Sequence, residues 1–558
     1  MSSRDSAYIG RQGNDWWRGA VIYQIYPRSF MDTGQSGTGD LQGVIDRLDY
    51  IASLNVDAIW LSPFFTSPMK DFGYDISDYR GVDPMFGSLE DFDRLLDAAH
   101  ARGLKVTIDQ VLSHSSDQHP WFAESRQSRD NPRADWYVWA DPRPDGTPPT
   151  NWQAIFGGPA WQWDTQRCQY YLHNFLPSQP DLNFRNPEVV DAILDEVRFW
   201  LDRGVDGFRL DAINFCTHGK LEDNPPRQDI ASGFLGVRPD NPYGFQEHLH
   251  DKTQPENLDF LERLRALLDE YPETTSVGEV GDDDSLGVMA AYTQGNKRLH
   301  MAYSFDLLSE RHDPDFLVNT LREMEARIGD GWPCWALGNH DVTRLATRWN
   351  AEHQPAKQRL HLAFLLTQRG SVCLYQGEEL GLTEAELTFD QLVDPAGINF
   401  WPAYKGRDGC RTPMPWRSDA PYCGFTTASP WLPIPDAHRE LAVDRQEQDS
   451  ESLLNSLREL LAFRRTLPVL QQGDIHYHDV HQDVICLERE LSGSRILVAL
   501  NFSDGPRQLP APAAARAIPS APAMINGQWH NGQLELPAHG IAMATCPPLD
   551  EEAAEWDI

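Results

Sequence analysis

The sequence predicts an α/β fold: a (β/α)8 TIM barrel with an inserted domain after its third strand and an antiparallel β domain at the C-terminus. Three observations carry that prediction. Strand-like and helix-like segments alternate up to Leu467, and eight such units imply a parallel sheet closed into a barrel. The stretch 115–180 interrupts the alternation with aromatic, proline-rich sequence that lacks helical periodicity. After Leu467 the helices stop and short strand-like runs follow one another. A chain of 558 residues is long enough for such a barrel with appended domains. The expected divisions are 1–114 and 181–467 for the barrel, 115–180 for the insertion and 468–558 for the C-terminal β domain.

The elements follow in order. GAVIYQIYPRSF (19–30) reads as the first strand and GDLQGVIDRLDYIASL (39–54) as an amphipathic helix; DAIWLSPF (57–64) is the second strand. SLEDFDRLLDAAHARG (88–103) is a helix with Ser88 as N-cap and Asp91 in its first turn, and KVTIDQVLSH (105–114) is the third strand. Beyond the insertion come the helix 186–204, a fourth strand in GFRLDAINF (207–215), the helix 255–271 and a fifth strand in TTSVGEV (274–280). LHMAYSFDLL (299–308), the helix 313–329, WPCWALGNHD (332–341), the helix 358–370 and SVCLYQGEEL (371–380) complete eight strands, and 452–467 is the last long helix. Loops 216–254 and 383–451 are long. DVICLERE (483–490) and RILVALNFS (495–503) read as C-terminal strands, with a proline- and alanine-rich linker near 509–523.

Bulk composition excludes several classes of function. Acidic residues number 83 against 48 basic ones, a net charge of −35, which argues against nucleic acids and anionic membranes as partners. The eight cysteines are scattered with no CxxC pair, so a zinc site is not expected, and reduced buried thiols suit a cytoplasmic protein. The N-terminal stretch MSSRDSAYIGRQGNDWW has no apolar core of a signal peptide, and no apolar run is long enough to span a membrane. Oligomeric state is not legible in the sequence.

The charges inside the strands are more informative. In GFRLDAINF, Arg209 and Asp211 share one face of an otherwise apolar strand, and burying both is costly unless they pair or do chemistry. The third strand ends in Asp109 and His114, the fifth in Glu279 and the seventh in His340 and Asp341. In a barrel of this kind the C-terminal ends of the strands form the active face. One strand-end acid is usually structural; four acids and two histidines at the same end are a site. Asp211 and Glu279 fall on adjacent strands, about 4.8 Å apart, which suits the carboxyl separation of about 5–5.5 Å in retaining glycosidases. Arg209 would hold Asp211 ionised as a nucleophile, while partial desolvation and neighbouring carboxylates would keep Glu279 protonated as an acid.

These residues also resemble the α-amylase-type glycoside hydrolases. DQVLSH (109–114), GFRLDAINF, VGEV (277–280) and GNHD (338–341) are similar, in order, to that family's four main conserved regions, and QPDLNF (179–184) to a fifth. YQGEELGL and GRDGCRTPMPW (406–416) are similar to segments of the α-glucosidase and oligo-1,6-glucosidase branch, nearest the bacterial α-1,4-glucosidases. The resemblance implies roles. Asp211 is the nucleophile, Glu279 the acid/base and Asp341 a third carboxylate that binds sugar hydroxyls in the transition state. His114 and His340 bind the same sugar, and Arg209 orients Asp211. Asp71 and Tyr74, in DFGYDI, line the pocket, the tyrosine as a stacking platform, and Arg411 joins Asp71 at its floor. Asp109 supports the site from behind.

No cofactor is implied for catalysis. In relatives, the loop matching DTGQSGTGD (32–40) often holds calcium or magnesium, which implies a structural Ca2+ or Mg2+ on Asp32 and Asp40. Here Gly34 and Ser36 replace two oxygen-rich ligands, a poor set for a cation needing six or more oxygens, and Ser113 stands where many relatives have asparagine. The reading is an exo-acting α-glucosidase that takes glucose from short α-glucosides with retention and is able to transfer it to other acceptors. Alternatives are an α-1,6-glucosidase, a sucrose- or trehalose-converting glucosyltransferase or isomerase, and a catalytically dead sugar-binding barrel. The last conflicts with the complete set of carboxylates. Ala212, where a valine tends to accompany α-1,6 preference among the resembling enzymes, points to α-1,4 linkages.

Overall fold

The computed structural model describes residues 15–229, 237, 240–530, 532–547 and 556. The N-terminal stretch up to residue 14 and residues 230–236, 238 and 239 of the loop 216–254 lie outside the described residues. Eight parallel strands form one sheet: β1 (Val21–Ile25), β2 (Ala58–Leu61), β3 (Lys105–Val111), β4 (Gly207–Asp211), β5 (Thr275–Val280), β6 (Met301–Ser304), β7 (Cys334–Ala336) and β8 (Ser371–Tyr375). Each neighbours its successor, β1 pairs with β8, and a parallel bridge between Ala302 and Pro333 joins β6 to the start of β7, closing the barrel. The strands are nearly all buried along their length, as a sheet covered on both sides requires, which is why VIYQI and SVCLY read as continuous runs.

The helices start where their caps dictate. Ser88 and Asp91 form a reciprocal capping box on Leu89–His100, Asn186 caps Pro187–Asp202, and Ser452 caps Leu453–Arg465. The segment expected as one helix over 39–54 is two, Leu41–Asp46 and Leu48–Ser53, broken at Arg47. A helix over Ser285–Thr293, between β5 and β6, escaped sequence reading. SLGVMAAYT is apolar on most sides and shows no amphipathic stripe.

Within the insertion, Trp139–Ala140, Trp161–Asp164 and Gln169–Leu172 make a three-stranded antiparallel sheet, and Pro120–Ser125 is a short helix. The loop after β4 packs on this region: Asn241 Nδ2 donates to the carbonyl of Ile155 (2.8 Å), and Asn151 Nδ2 to that of Asn224 (2.8 Å). The loop after β8 reaches it from the other side. Gly157, at φ +92°, lies against the ring of Phe400, so close that a Cβ there would be 2.9 Å from its Cζ.

The C-terminal region holds a five-stranded and a three-stranded antiparallel sheet. Val484, Cys486, Leu497 and Ala499 of the first pack with Leu509, Leu534 and Leu536 of the second. The stretch expected as a linker near 509–523 therefore belongs to the domain: Arg507–Pro510 and Arg516–Ala517 are strands, and Leu509 is fully buried. All eight cysteines are free thiols, but Cys168 is exposed, contrary to the expectation of buried ones. No helix among the described residues is long and apolar enough to cross a membrane.

Candidate active site

The fully buried guanidinium of Arg209 organises the C-terminal end of the barrel. Strand alternation turns Arg209 and Asp211 inward together, and the register of β4 against β3 and β5 sets Arg209 beside Asp109 and Val277. Nη1 of Arg209 donates to Asp109 Oδ1 (2.8 Å) and Asp211 Oδ1 (2.6 Å), and Nη2 pairs with Glu279 Oε1. Nε and Nη2 also donate to the hydroxyl of Tyr303 on β6, which itself donates to Glu279 Oε1 (2.8 Å). The two carboxyls expected to carry the chemistry thus grip one cation from neighbouring strands. Asp109 accepts from Trp60 Nε1 (3.1 Å) and Tyr74 Oη (3.0 Å) and is wholly buried behind them.

Electrostatics follow from burial. Desolvation pushes Asp211 and Glu279 up, each to about 7, against the downward pull of Arg209 on both, so electrostatics alone do not separate their roles. Asp341 sits five residues beyond the end of β7. Burial would raise it, but His340, Arg407 and Arg411 together hold its carboxyl below the usual range. It accepts from Arg411 Nη2 (2.9 Å) and Arg407 Nη1 (3.3 Å), and its own N–H is held by Asn339 Oδ1 (2.9 Å).

His340 is fully buried, with Nδ1 at 2.8 Å from Gln24 Nε2 and Nε2 at 2.5 Å from Tyr74 Oη. Tyr74 stacks parallel on that imidazole, centroids 5.4 Å apart, so its ring is engaged with His340. His114 lies between Ser113 Oγ (2.9 Å from Nδ1) and the Tyr74 carbonyl (3.1 Å from Nε2), and desolvation lowers its pKa to about 4.

The sequence reading placed Arg411 beside Asp71. The guanidinium bonded to Asp71 is instead that of Arg407: Nη2 donates to Asp71 Oδ1 (2.9 Å) and to Asp394 Oδ1 (2.8 Å), and Nε to Asp394 Oδ2 (3.0 Å). Arg411 has no bond to Asp71 but still pulls its carboxyl down through space, and it donates from Nε to the His340 carbonyl (2.7 Å). The reason lies in the path of the loop after β8, which folds back so that Asp394 and Arg407 meet. Gln179 Nε2 completes the wall, 3.0 Å from Asp71 Oδ2. Arg407, Asp394, Gln179 and Tyr303 were missed as site residues; Arg407 and Gln179 stand inside the motifs already singled out, while Asp394 and Tyr303 carry no local signal.

Ala212 does not continue the strand. Strand alternation would turn its side chain away from that of Asp211, but β4 ends at Asp211, and Ala212 is left-handed (φ 40°, ψ 45°). Its N–H donates to Glu279 Oε2 (3.2 Å).

The loop 32–40 does not fit a cation. Asp32 accepts from Gly37 N (2.8 Å), Ser36 N (3.3 Å) and Thr426 Oγ1 (2.5 Å). Asp40 caps the following helix through Gly43 N (2.6 Å) and accepts from Thr33 N and Gly34 N. Backbone donors occupy the oxygens a metal would need, and among the described residues no group of three or more His, Cys, Asp or Glu side chains is placed to hold an ion.

Residues 24–473 match the model of the alpha-amylase catalytic domain. A probable alpha-glucosidase of Rhizobium meliloti (strain 1021) is 54% identical over 498 residues, covering 88% of this chain and 90% of that protein. An oligo-1,6-glucosidase of Heyndrickxia coagulans is 36% identical over 533 residues, covering 88% and 92%. The crystal structure of the alpha-glucosyl transfer enzyme XgtA superposes with a TM-score of 0.93 at 56% identity, covering 96% of this chain and all of that one. A closed barrel whose strand ends gather three carboxylates around buried arginines, and a family match spanning that barrel, lead to one conclusion: the chain belongs to the α-amylase family and is a glycoside hydrolase of its α-glucosidase group.

Proposed function

We propose that this enzyme is a retaining, exo-acting α-glucosidase that removes single glucose units from maltose and other short α-glucosides, favours α-1,4 linkages and works in the cytoplasm. One observation carries the reading: Asp211 and Glu279, from adjacent strands, share the Arg209 guanidinium. Asp211 attacks the anomeric carbon as the bond to the leaving oxygen breaks, and Glu279 gives that oxygen its proton. Water then adds to the same carbon, its proton passes to Glu279, and the ester to Asp211 is released, so two inversions give net retention. A pKa of about 7 leaves Glu279 able both to give and to take a proton near neutrality. Arg209, bonded to Asp211, favours the ionised nucleophile.

The ion pairs of Arg407 with Asp71, Asp341 and Asp394 lie where the loop after β8 meets the inserted domain, and they support a pocket that takes one terminal sugar. Likeness to a glucosyl transfer enzyme favours a second outcome at the same intermediate, capture by a sugar or alcohol in place of water. Early products from maltotetraose, followed by proton NMR, test the proposal. α-Glucose and maltotriose are expected first. Release of β-glucose would overturn retention, and maltose as the first product would overturn single-unit exo action.

A further inference from the structure

Two segments leave the barrel beside the reacting carboxyls: the turn after Asp211 and the turn after Glu279. Asn214, three residues beyond Asp211 and fully buried, donates from Nδ2 to the carbonyl of Gly281 (3.0 Å) and accepts at Oδ1 from the Gly281 N–H (3.4 Å). Gly281 stands two residues beyond Glu279. From the loop after β4, Lys252 donates from Nζ to that same Gly281 carbonyl (2.7 Å). Its neighbour Thr253, left-handed at φ 52°, donates its N–H to the Asn214 carbonyl (2.7 Å) and its hydroxyl to Asp282 Oδ2 (2.6 Å).

We infer that Lys252 and Asn214 form a clamp on Gly281 that positions the acid/base Glu279 relative to the nucleophile Asp211. The inference deepens the catalytic roles proposed above and rests on them.

Lys252 is 1% exposed, its charge over the rings of Phe215 (5.2 Å) and Tyr243 (5.6 Å). A lysine is costly to bury for a packing role that an uncharged residue fills at less expense. Burial lowers its pKa to about 8, while Asp282, Asp251 and Asp283 pull it back up. Asp251 is in turn held by His248 Nδ1 (2.6 Å) and Asn224 Nδ2 (3.0 Å). What this arrangement delivers is a cationic donor on one carbonyl, at the point where the chain leaves β5. Asn214 ties the same peptide to the end of β4, so a shift of either strand end moves both carboxyls together. Productive proton transfer needs the acid within hydrogen-bond reach of the leaving oxygen, and displacement of about 1 Å is enough to cost on the order of 10²-fold.

The clamp is tested by the dependence on leaving group. Lys252→Met keeps the apolar stem and removes the bond. It is expected to lower kcat/KM for maltose, whose leaving oxygen needs a proton, by about 10–100-fold, and kcat/KM for 4-nitrophenyl α-glucoside by less than about 3-fold. Asn214→Ala is expected to give the same pattern with a larger loss on maltose, and Lys252→Arg, which keeps charge and donor, to return maltose turnover to within about 3-fold of the parent. Equal losses on both substrates, or no loss on maltose, would overturn the clamp. Glu279→Gln is the control: if it too loses equally on both substrates, the role of Glu279 itself is wrong. A selective Glu279→Gln beside a non-selective Lys252→Met refutes the clamp alone.

Discussion

Arg407→Met removes a cation that ties the buried Asp71 and Asp394 to the half-buried Asp341, and its consequences follow from what each loses. Asp341 keeps Arg411 at 2.9 Å, and Asp394 keeps the backbone N–H of residue 407 (2.7 Å) and of Ala396 (3.3 Å). Asp71 keeps only Gln179 as a side-chain partner of its carboxylate among the described residues. Burial already lifts the Asp71 carboxyl to about 6 against the pull of Arg407. Without that cation it rises further and is protonated at neutral pH. Breaking a buried ion pair costs about 3–5 kcal/mol. Unfolding entropy of about 2.1 cal/mol/K per residue over 558 residues gives about 1.2 kcal/mol/K, so the melting temperature should fall by about 3–4 °C. Misplacing two sugar-binding carboxylates should lower kcat/KM for maltose by about 10²-fold. The distinguishing signature is the acid limb of the pH–rate profile. Activity that needs an ionised Asp71 moves to higher pH in the variant. Differential scanning calorimetry and initial rates between about pH 5 and 9 measure both. A melting temperature within about 1 °C of the parent and a superimposable pH profile would refute the reasoning.

Four further outcomes are expected. Asp211→Asn abolishes turnover of every α-glucoside, whereas Glu279→Gln spares glycosylation by substrates with good leaving groups; an Asp211→Asn protein of parental activity, free of deamidation, would reject the assignment. The parent prefers maltose to isomaltose by about 10–200-fold, and Ala212→Val narrows that ratio while lowering stability by about 1–2 kcal/mol, because a β-branched side chain is strained at φ 40°; a parent that prefers isomaltose sinks the linkage argument.

Stability should fall between about pH 6.5 and 8, read from melting temperatures across the pH range. Glu279, Glu378 and Glu384 are raised to about 7 and Asp181 to about 8 by burial, so the stability that their folded-state protonation contributes is lost as pH rises through those values. His114, His119, His173 and His438, lowered to about 4 by burial, act in the opposite sense between about pH 4 and 6.5, where only the unfolded chain takes up protons, so below about pH 6.5 the two sets offset each other. A monotonic rise from pH 6 to 9 would contradict this. With a net charge of −35, moderate salt should raise the melting temperature by screening self-repulsion, and a flat response would remove that argument.

What the sequence determined by itself is what repeats locally. Continuous apolar runs at barrel strands, helices with caps at Ser88, Asn186 and Ser452, and charges at the ends of β3, β4, β5 and β7 are all set by side-chain period and by neighbours a few residues away. Asp109, Arg209, Asp211 and Glu279 stood out for that reason, as several charges in apolar strands ending on one face, whereas Asp341, five residues past the end of β7, stood out through the GNHD motif. The tertiary structure decided what no period encodes. Arg407 and Arg411 are four residues apart in one irregular loop, and only the path of that loop sends one to Asp71 and the other to the backbone of His340. The left-handed turn at Ala212 depends on where β4 stops, and the bond from Lys252 to Gly281 joins residues of two separate loops. Asp32 and Asp40 invited a metal by composition, but competition between backbone N–H groups and a cation is settled only once the loop is folded, and there the N–H groups hold the oxygens.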